Sequence, residues 1–262
     1  MEVDKRLVNR MEACLVSVVT ISKNNIRGLR RTLESVREQD YKEIQHIVID
    51  GDSNDGTKEL LRNYSHSKTY SYCSKPDNGI SSAFNKGIDK SNGHLIFFLN
   101  SGDVLLSKTI ISEVVTSYLK NGWRCAQGGV ISSNYEGDEV LYIPPKLSSW
   151  FLKYIMFLPH QGFFCETSLH KQYRFDESIK TSMDYDLFIR MLKDIEVFYL
   201  PTVVAKCEPG GISSQSRLRV IEQSRIRMKH ATKGSDKVIA SLINSLILLK
   251  DFLKVDSPFA KR

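Results

Sequence analysis

The stretch His94-Leu95-Ile96-Phe97-Phe98-Leu99-Asn100-Ser101-Gly102-Asp103 decides the fold class. An apolar run of this length between turn residues predicts a strand that is buried on both faces of a sheet. Asp103 would then lie at the carboxyl end of a central strand, where open α/β sheets bind their ligands. A carboxylate there can hold a divalent cation together with phosphate oxygens and water. The same residues also suit a plain turn, and both interpretations stay open at this point.

Strands and helices alternate on either side of this stretch. Apolar and β-branched runs predict strands at 15–21, 44–50, 69–73, 124–132, 139–143 and 196–206, the last broken by Pro201. Helical spacing predicts helices at 27–39, 58–64, 81–90, 108–120, 184–193, 217–231 and 236–254. Strict alternation over the first hundred residues predicts a doubly wound, mostly parallel sheet. No P-loop or GxGxxG follows the first strand, and acidic turns stand at the strand ends.

The composition is that of a globular protein, with 41% hydrophobic and 26% charged residues. The five cysteines are widely spread and include no CxxC pair, which argues against a zinc site or a disulfide framework and for a reducing compartment. No apolar stretch reaches the ~20 residues of a membrane span, and the first residues lack a signal-peptide core. We therefore expect a cytoplasmic protein.

Positive charge is concentrated near the C-terminus. From Lys206 onward there are 12 Lys/Arg and 5 Asp/Glu, which accounts for the whole net charge of +7. The segment 236–254 is predicted to be a basic amphipathic helix, which could lie on the inner face of an anionic plasma membrane. It could equally pack on the protein or on another subunit. The neutral body and the absence of a nucleic-acid-binding module argue against nucleic acid as a partner.

The loop 50–55, which follows the second predicted strand, contains three carboxylates. Carboxylates accept hydrogen bonds well from the N–H and O–H donors of a base and a ribose. An Asx-rich turn without a ligand is the alternative. Further along, the segment 77–87 combines a turn with a helix start, whose free N–H groups could bind phosphate with help from Lys75 or Lys86. A capped surface helix is the alternative there.

Two aspartates, Asp184 and Asp186, lie at the start of a predicted helix. One carboxylate would be explained as a cap, but two beside Tyr185 are less easily explained in this way. A carboxylate facing a nucleotide site could accept a proton from an acceptor hydroxyl as a general base. His160 and the flexible loop 210–214 are further candidates, with a structural histidine and a linker as the alternatives.

Five motifs occur in order along the chain: Val18-Val19-Thr20-Ile21, Ile49 to Thr57, Asp77 to Gly87, Leu99 to Asp103, and Met183-Asp184-Tyr185-Asp186-Leu187. Together they resemble the family-2 glycosyltransferases of the GT-A fold, particularly the bacterial WcaE-like group that builds exopolysaccharide, capsule or O-antigen repeats. The resemblance covers residues 15–214.

The resemblance implies inverting transfer of a sugar from a nucleotide-diphosphate donor, UDP-sugar being favoured, to a glycan or lipid-linked acceptor, with Mn²⁺ or Mg²⁺. It implies Asp184 as the catalytic base and Asp103 as the metal ligand. The implied nucleotide-sugar contacts are Thr20, Ser22, Asp50, Asp52, Lys75, Asp77, Gly79, Asn85, Asn100 and Ser101. Further contacts to the acceptor or the diphosphate are assigned to His160, Gln161, Asp186 and Ser213.

The chain departs from the family pattern at two points. Ser101 stands where the first acid of the family's Asp-x-Asp is expected. The usual Val-Asp-Asp-Gly-Ser is replaced by Ile-Asp-Gly-Asp-Ser, which leaves open whether Asp50 or Asp52 meets the nucleoside. A catalytically impaired sugar-nucleotide-binding protein and a nucleotidyltransferase are therefore the alternative functions.

The predicted organisation is a GT-A catalytic domain over residues 1–214, followed by a basic helical tail over residues 215–262. Within the domain, the nucleotide-sugar half spans about 14–105 and the acceptor half about 106–214.

Overall fold

A computed structural model describes residues 13–64, 70–133, 136–209 and 216–255 of the chain. The strands are β1 (Val16–Ser22), β2 (Ile44–Asp50), β3 (Ser71–Ser74), β4 (Leu95–Phe98), β5 (Val104–Leu105), β6 (Cys125–Ser133), β7 (Glu139–Tyr142), β8 (Phe163–Glu166) and β9 (Val197–Cys207). The α-helices are α1 (Ile26–Arg37), α2 (Thr57–Asn63), α3 (Ile80–Lys90), α4 (Ile110–Asn121), α5 (Thr167–Gln172), α6 (Met183–Met191), α7 (Ser216–His230) and α8 (Gly234–Val255).

All nine strands belong to one sheet with the order β3-β2-β1-β4-β8-β6-β9-β5, and β7 pairs with β6. The strands β1, β2, β3, β4, β6 and β9 run in one direction, whereas β5, β7 and β8 run in the other. Strand β4 pairs with β1 on one side and β8 on the other, so the apolar run around Phe97 is central as predicted. The mostly parallel α/β sheet is confirmed.

Helices cover both faces of the sheet because β1 alternates its side chains between them. Val18 packs in a cluster with residues of α1 and α4, whereas Val19 packs in another with residues of α3, α5 and α6. Helix α3 approaches β1 closely at Gly87, where an added Cβ would lie 2.3 Å from Val19 Cγ1. The doubly wound arrangement is therefore confirmed.

The second half of the chain departs from the prediction in two places. Strand β8 and helix α5 were not predicted, because β8 has only four residues and is buried, so its sequence shows no periodicity. Strand β9 continues through Pro201 instead of breaking there. Its pairing with β6 shifts register between the pairs Gln127↔Tyr199 and Gly129↔Val203, and this bulge accommodates the proline.

The two C-terminal helices pack on the rest of the protein. In α7, Arg227 is buried and its Nε donates to Asn244 Oδ1 of α8 (2.6 Å). In α8, Asp236 accepts a hydrogen bond from the Tyr154 hydroxyl (2.9 Å). Among the described residues, no helix combines the length and the apolar character needed to span a membrane. The domain boundary near residue 214 stays a prediction.

Candidate active site

The carboxyl ends of β1, β2 and β4 form one edge of the sheet. Gly51 N donates to Ser22 O (2.9 Å), and Ser101 N donates to Ile21 O (3.0 Å). The loops after β2 and β4 are therefore both fastened to the end of β1. This is the edge at which parallel sheets bind ligands, and most of the predicted site residues lie along it.

Asp50 at the end of β2 is fully buried, and both of its carboxylate oxygens are in use. It accepts hydrogen bonds from Ser53 Oγ (2.5 Å), Ser53 N (3.1 Å) and Ser74 Oγ (2.6 Å). Asp50 therefore shapes the loop from within. Asp52, in contrast, is exposed at φ +64° and forms an ion pair with Lys58 (2.5 Å). Of the two carboxylates, only that of Asp52 is open to a ligand.

Asp55, the third acid of this loop, joins two helix starts. Its Oδ2 accepts from Ile26 N (2.8 Å) at α1, and its Oδ1 accepts from Thr57 Oγ1 (2.6 Å) and Thr57 N (3.2 Å) at α2. Burial acts to raise the pKa of Asp55, but these hydrogen bonds outweigh it and lower the pKa. Asp55 is a capping residue.

The side chains at the end of β1 lie inside the protein. Thr20 is fully buried, and its Oγ1 lies 3.0 Å from His46 Nε2. Burial lowers the pKa of His46 to about 3, so the ring is neutral. Ser22 is also buried, and its Oγ has no hydrogen-bond partner among the described residues. The predicted nucleoside contact of Thr20 would need its side chain at the surface, and the structure does not place it there.

Asn85 ties α3 to a distant loop. Its Nδ2 donates to Phe175 O (3.0 Å) and Glu177 Oε1 (3.0 Å), and its Oδ1 accepts from Phe175 N (3.0 Å). These bonds use the whole amide of a buried side chain. Asn85 therefore has a structural role, and its predicted contact to the nucleotide sugar stays a prediction.

The segment before α3 turns at Gly79. Gly79 has φ +114°, and its N–H donates to Asp77 Oδ1 (3.0 Å). An added Cβ on Gly51 would lie 2.8 Å from Asp77 Oδ2, so this aspartate is next to the acidic loop. Lys75 is exposed nearby. These residues, together with Asp52, border the open part of the edge.

Asp103 follows β4 and is almost entirely buried. Its Oδ1 accepts from Glu208 N (2.8 Å). Burial raises the pKa of Asp103 to about 6, although the backbone N–H groups of Glu208 and Asn100 and the nearby His160 ring act in the opposite direction. A buried carboxylate with few hydrogen-bond donors is suited to a cation.

Sequence reasoning missed Glu208, and no motif marks it. The residue follows β9, and its Oε2 accepts from Asn25 Nδ2 (2.8 Å) while its other oxygen pairs with Arg31. An added Cβ on Gly102 would overlap this carboxylate, so the glycine is needed there. Glu208 joins α1 to the loop that carries Asp103.

Asn100 and Ser101 connect this loop to two other segments. Ser101 Oγ donates to Asn25 O (3.2 Å). Asn100 Nδ2 lies 3.0 Å from His160 Nε2, and Asn100 Oδ1 is buried without a hydrogen-bond partner among the described residues. The loop therefore contains a second oxygen ligand that no described group satisfies.

His160 lies between Asn100 and Asp184. Its Nδ1 is 3.5 Å from Asp184 Oδ2, and the ring sits edge-on to Phe84 with centroids 6.0 Å apart. Asp184 is the second residue of α6, and its side chain is 25% exposed. Its Oδ1 accepts from Tyr185 N (2.9 Å) and its Oδ2 faces His160; apart from these two neighbours the carboxylate is open. Gln161 is half-buried next to His160.

Asp186 lies outside this open region, and its predicted contact to the acceptor or the diphosphate stays a prediction that its burial does not favour. The residue is fully buried and accepts from Arg190 Nε (2.7 Å), His230 Nε2 (2.8 Å) and Lys229 Nζ (3.0 Å). Burial raises its pKa, but these hydrogen bonds hold the pKa below the usual range. The other predicted contact, Ser213, lies outside the described residues, as does the loop 210–214.

The residues at the end of β4 fit a hard divalent cation that shares its coordination with phosphate oxygens and water. Asp103 Oδ2 and the orphaned Asn100 Oδ1 are oxygen ligands of the kind that Mg²⁺ and Mn²⁺ prefer. Within the described ranges, no group of three His, Cys, Asp or Glu side chains could hold a metal without such help. The fit thus depends on ligands that a donor supplies.

The fold resembles solved glycosyltransferase structures. S. aureus TarS in complex with UDP aligns over 95% of this chain and 75% of its own, with a TM-score of 0.68 and 15% identity. The mannosyltransferase PcManGT from Pyrobaculum calidifontis, in complex with GDP-Man and Mn²⁺, aligns over 94% of this chain and 82% of its own, with a TM-score of 0.64 and 12% identity. The architecture is that of a GT-A glycosyltransferase.

Proteins of similar sequence identify the family to which the chain belongs. An uncharacterised glycosyltransferase of Mycobacterium tuberculosis is 32% identical over 202 residues, which are 76% of this chain and 77% of that protein. Hyaluronan synthase of Pasteurella multocida is 26% identical over 70% of this chain and 19% of its own length. The model of glycosyl transferase family 2 matches residues 17–176. The chain belongs to this family.

Proposed function

We propose that this protein transfers a sugar from a nucleoside-diphosphate donor, a UDP-sugar in particular, to a hydroxyl group of a glycan or lipid-linked acceptor, with inversion, in bacterial surface polysaccharide synthesis. The contact chain from Asn100 through His160 to Asp184 carries this proposal. It brings an open carboxylate next to the loop that holds Asp103. TarS has been solved with UDP and with UDP-GlcNAc, which supports a donor of this chemistry.

The donor would lie along the carboxyl edge of β1, β2 and β4. Asp52 and Asp77 offer acceptors to the nucleoside, and the turn at Gly79 offers its N–H groups and Lys75 to the diphosphate. Asp103 and Asn100 would hold a Mn²⁺ or Mg²⁺ ion against the diphosphate. When bound, that ion neutralises the charge that grows on the leaving group.

Asp184 acts as the general base. Its open oxygen accepts the proton of the acceptor hydroxyl, whose oxygen attacks the anomeric carbon from the face opposite the diphosphate. The new glycosidic bond forms as the bond to the diphosphate breaks, so a single displacement inverts the centre. Asn100 Nδ2 donates to His160 Nε2 when Nδ1 carries the ring proton, and that proton then points to Asp184. This tautomer orients the carboxylate.

Thermal unfolding of the full chain with UDP, GDP, dTDP and their sugars, each with and without Mn²⁺, tests the proposal. A ligand at about 100 times its Kd stabilises the folded state by about 2.7 kcal/mol. We expect a Mn²⁺-dependent rise in the unfolding temperature with the nucleotides of one nucleobase. A nucleotidyltransferase would respond to a nucleoside triphosphate instead and release pyrophosphate, and an impaired binding protein would show the shift without releasing nucleoside diphosphate.

The proposal includes peripheral contact with an anionic membrane through α8. Asp236, Ala240 and Asn244 face the protein, but on the other side four apolar side chains are 55% to 65% exposed, namely Val238, Leu242, Leu246 and Leu249. The surrounding segment carries the excess of Lys and Arg. An apolar stripe with flanking positive charge suits the surface where a lipid-linked acceptor would lie.

Co-sedimentation with vesicles tests this contact. The wild-type chain is expected to sediment with phosphatidylglycerol vesicles at low salt and to stay in solution with phosphatidylcholine vesicles. The double variant Leu242→Gln/Leu246→Gln should lose sedimentation without losing thermal stability, because both side chains are exposed. Equal sedimentation of the double variant would contradict a role for the stripe. Truncation before α7 is a poor test, because α7 packs on α6.

A further inference from the structure

Helix α6, which carries Asp184, lacks a capping hydrogen bond from its own N-cap side chain. The N-cap residue is Ser182, and its side chain makes no capping hydrogen bond. The first N–H groups of a helix and the turn before it need acceptors when they are buried. Both Thr181 and Ser182 are buried, so the acceptor has to come from elsewhere in the protein.

Glu222 of α7 supplies that acceptor. Its carboxylate accepts from Lys180 N (2.9 Å), Thr181 N (2.7 Å), Thr181 Oγ1 (2.6 Å) and Ser182 N (3.2 Å). Glu222 is itself buried, at 9% exposure. A negative charge at this end of α6 also interacts favourably with the helix dipole. Four hydrogen bonds accepted by one side chain define the position of the turn.

A second contact fastens the same turn from its other side. Asp186, two residues after Asp184, accepts from Lys229 and His230 of α7. Helix α7 therefore holds the chain immediately before and immediately after Asp184, while the Asp184 carboxylate itself remains open. Helix α7 begins forty residues beyond the segment that the family model matches, so the family motifs do not include it.

We propose that α7 sets the position of Asp184 for catalysis, with Glu222 as the positioning residue. This inference rests on the proposed role of Asp184 as the base. Glu222 touches no reacting group, and it acts by holding the turn from which Asp184 projects towards His160. A shift of about 1 Å at a catalytic group can lower a rate by roughly 100-fold. The hydrogen bonds to Glu222 therefore matter for turnover as well as for folding.

The test is Glu222→Gln in the full chain, alone and combined with Asp184→Asn. The amide cannot accept at both positions, so the variant loses part of the network without a change in size. Turnover is measured as release of nucleoside diphosphate from a panel of UDP-, GDP- and dTDP-hexoses, and donor affinity is measured separately. We expect kcat to fall by about 10-fold to 100-fold with donor affinity unchanged, and no further fall in the Asp184→Asn background.

Asp236→Ala is the matched control, because it removes another contact that docks the C-terminal helices, the one to Tyr154, without touching α6. If both variants lose the same activity at equal loss of stability, Glu222 is only a structural tie and the proposal is overturned. Multiplicative effects of Glu222→Gln and Asp184→Asn would also overturn it. Full activity of Asp184→Asn alone would refute the proposed role of Asp184 as general base. That result does not depend on any Glu222 variant, so the two failures can be told apart.

If Glu222→Gln does not fold, Thr181→Ala replaces it. This change removes the hydroxyl bond to Glu222 (2.6 Å) and a longer contact to Ser182 Oγ (3.4 Å), and it leaves the carboxylate and the backbone contacts in place. A smaller fall in kcat is expected, again absent in the Asp184→Asn background. An effect of Thr181→Ala on donor affinity alone would contradict the proposal.

Discussion

The loop after β2 and the first turn of α6 are both rich in aspartate, but the structure uses these acids in opposite ways. In the loop, the carboxylate oxygens of Asp50 and Asp55 accept hydrogen bonds from neighbouring serine, threonine and backbone donors. In the helix, Asp186 is equally enclosed, whereas Asp184, two residues away, keeps an open oxygen. A count of acidic residues therefore does not identify a chemical site; the hydrogen-bond donors around each carboxylate do.

The largest effect is expected from removing the open carboxylate. Asp184→Asn should lower the release of nucleoside diphosphate by about 10²-fold to 10⁴-fold, the usual contribution of a general base. Donor affinity, followed by thermal shift with UDP-sugars, should stay the same because the proposal places Asp184 against the acceptor. Asp194→Asn, an exposed position after the same helix, is the control. Unchanged turnover in Asp184→Asn would show that the first turn of α6, like the loop after β2, uses its aspartates only for structure.

Asp186→Asn should affect stability far more than chemistry. Removing one partner from a buried charged cluster costs about 3–5 kcal/mol of unfolding free energy, measured by urea denaturation. The low pKa of Asp186 stabilises the fold above the unfolded-state value near 4, and that contribution is lost as the pH falls below about 4. The variant should therefore lose less stability than the wild type between neutral and acid pH. Parallel pH profiles would show that Asp186 is not ionised in this cluster.

Asp50 and Asp52 separate the two uses of an acid within one loop. Asp50→Ala leaves the hydroxyls of Ser53 and Ser74 without their acceptor and should cost about 1–3 kcal/mol. Asp52→Ala removes only an exposed ion pair to Lys58 and should cost no more than about 1 kcal/mol, but it should weaken UDP binding. Calorimetric unfolding and UDP titration of both variants measure this contrast. The reverse order of costs would contradict the assignment.

The smallest effect on binding and transfer is expected at Asp55. Asp55→Ala removes the acceptor at the starts of α1 and α2 and should cost about 1 kcal/mol, as capping residues do. Transfer should change far less than stability, because the Asp55 side chain itself bonds only to Ile26 and Thr57. A loss of donor binding in this variant, measured by thermal shift with UDP, would show that the loop moves as a unit.

Much of the first half of the fold could be predicted because its signals are local. The β-branched run 44–50 ends at an Asp-Gly turn, and β2 has those same limits. Strand β8 could not be predicted in this way, since its four buried residues show no alternation and its place between β4 and β6 depends on long-range pairing. Similarly, the continuation of β9 through Pro201 depends on a bulge against its partner strand.

The site was predictable at the level of motifs and not at the level of side-chain partners. The motif resemblance marked Asp103 and Asp184; Asp103 follows β4 at the carboxyl edge of the sheet, and Asp184 reaches that loop through His160, while their roles stay predictions. The same reasoning assigned Asp186 to the site, because nothing local shows that Lys229 and His230 reach it from α7. Burial of Thr20 against His46 is equally invisible in the sequence.

The hold of α7 on α6 also has a consequence for how the protein is made. Glu222 follows Asp184 by 38 residues, so the ribosome adds it about 2–8 s later at roughly 5–20 residues per second. During that interval the strands and helices of the nucleotide edge are already synthesised, whereas the turn before α6 has no acceptor for its buried N–H groups. The nascent chain can therefore form the sheet edge at the ends of β1, β2 and β4 before Asp184 is held in position.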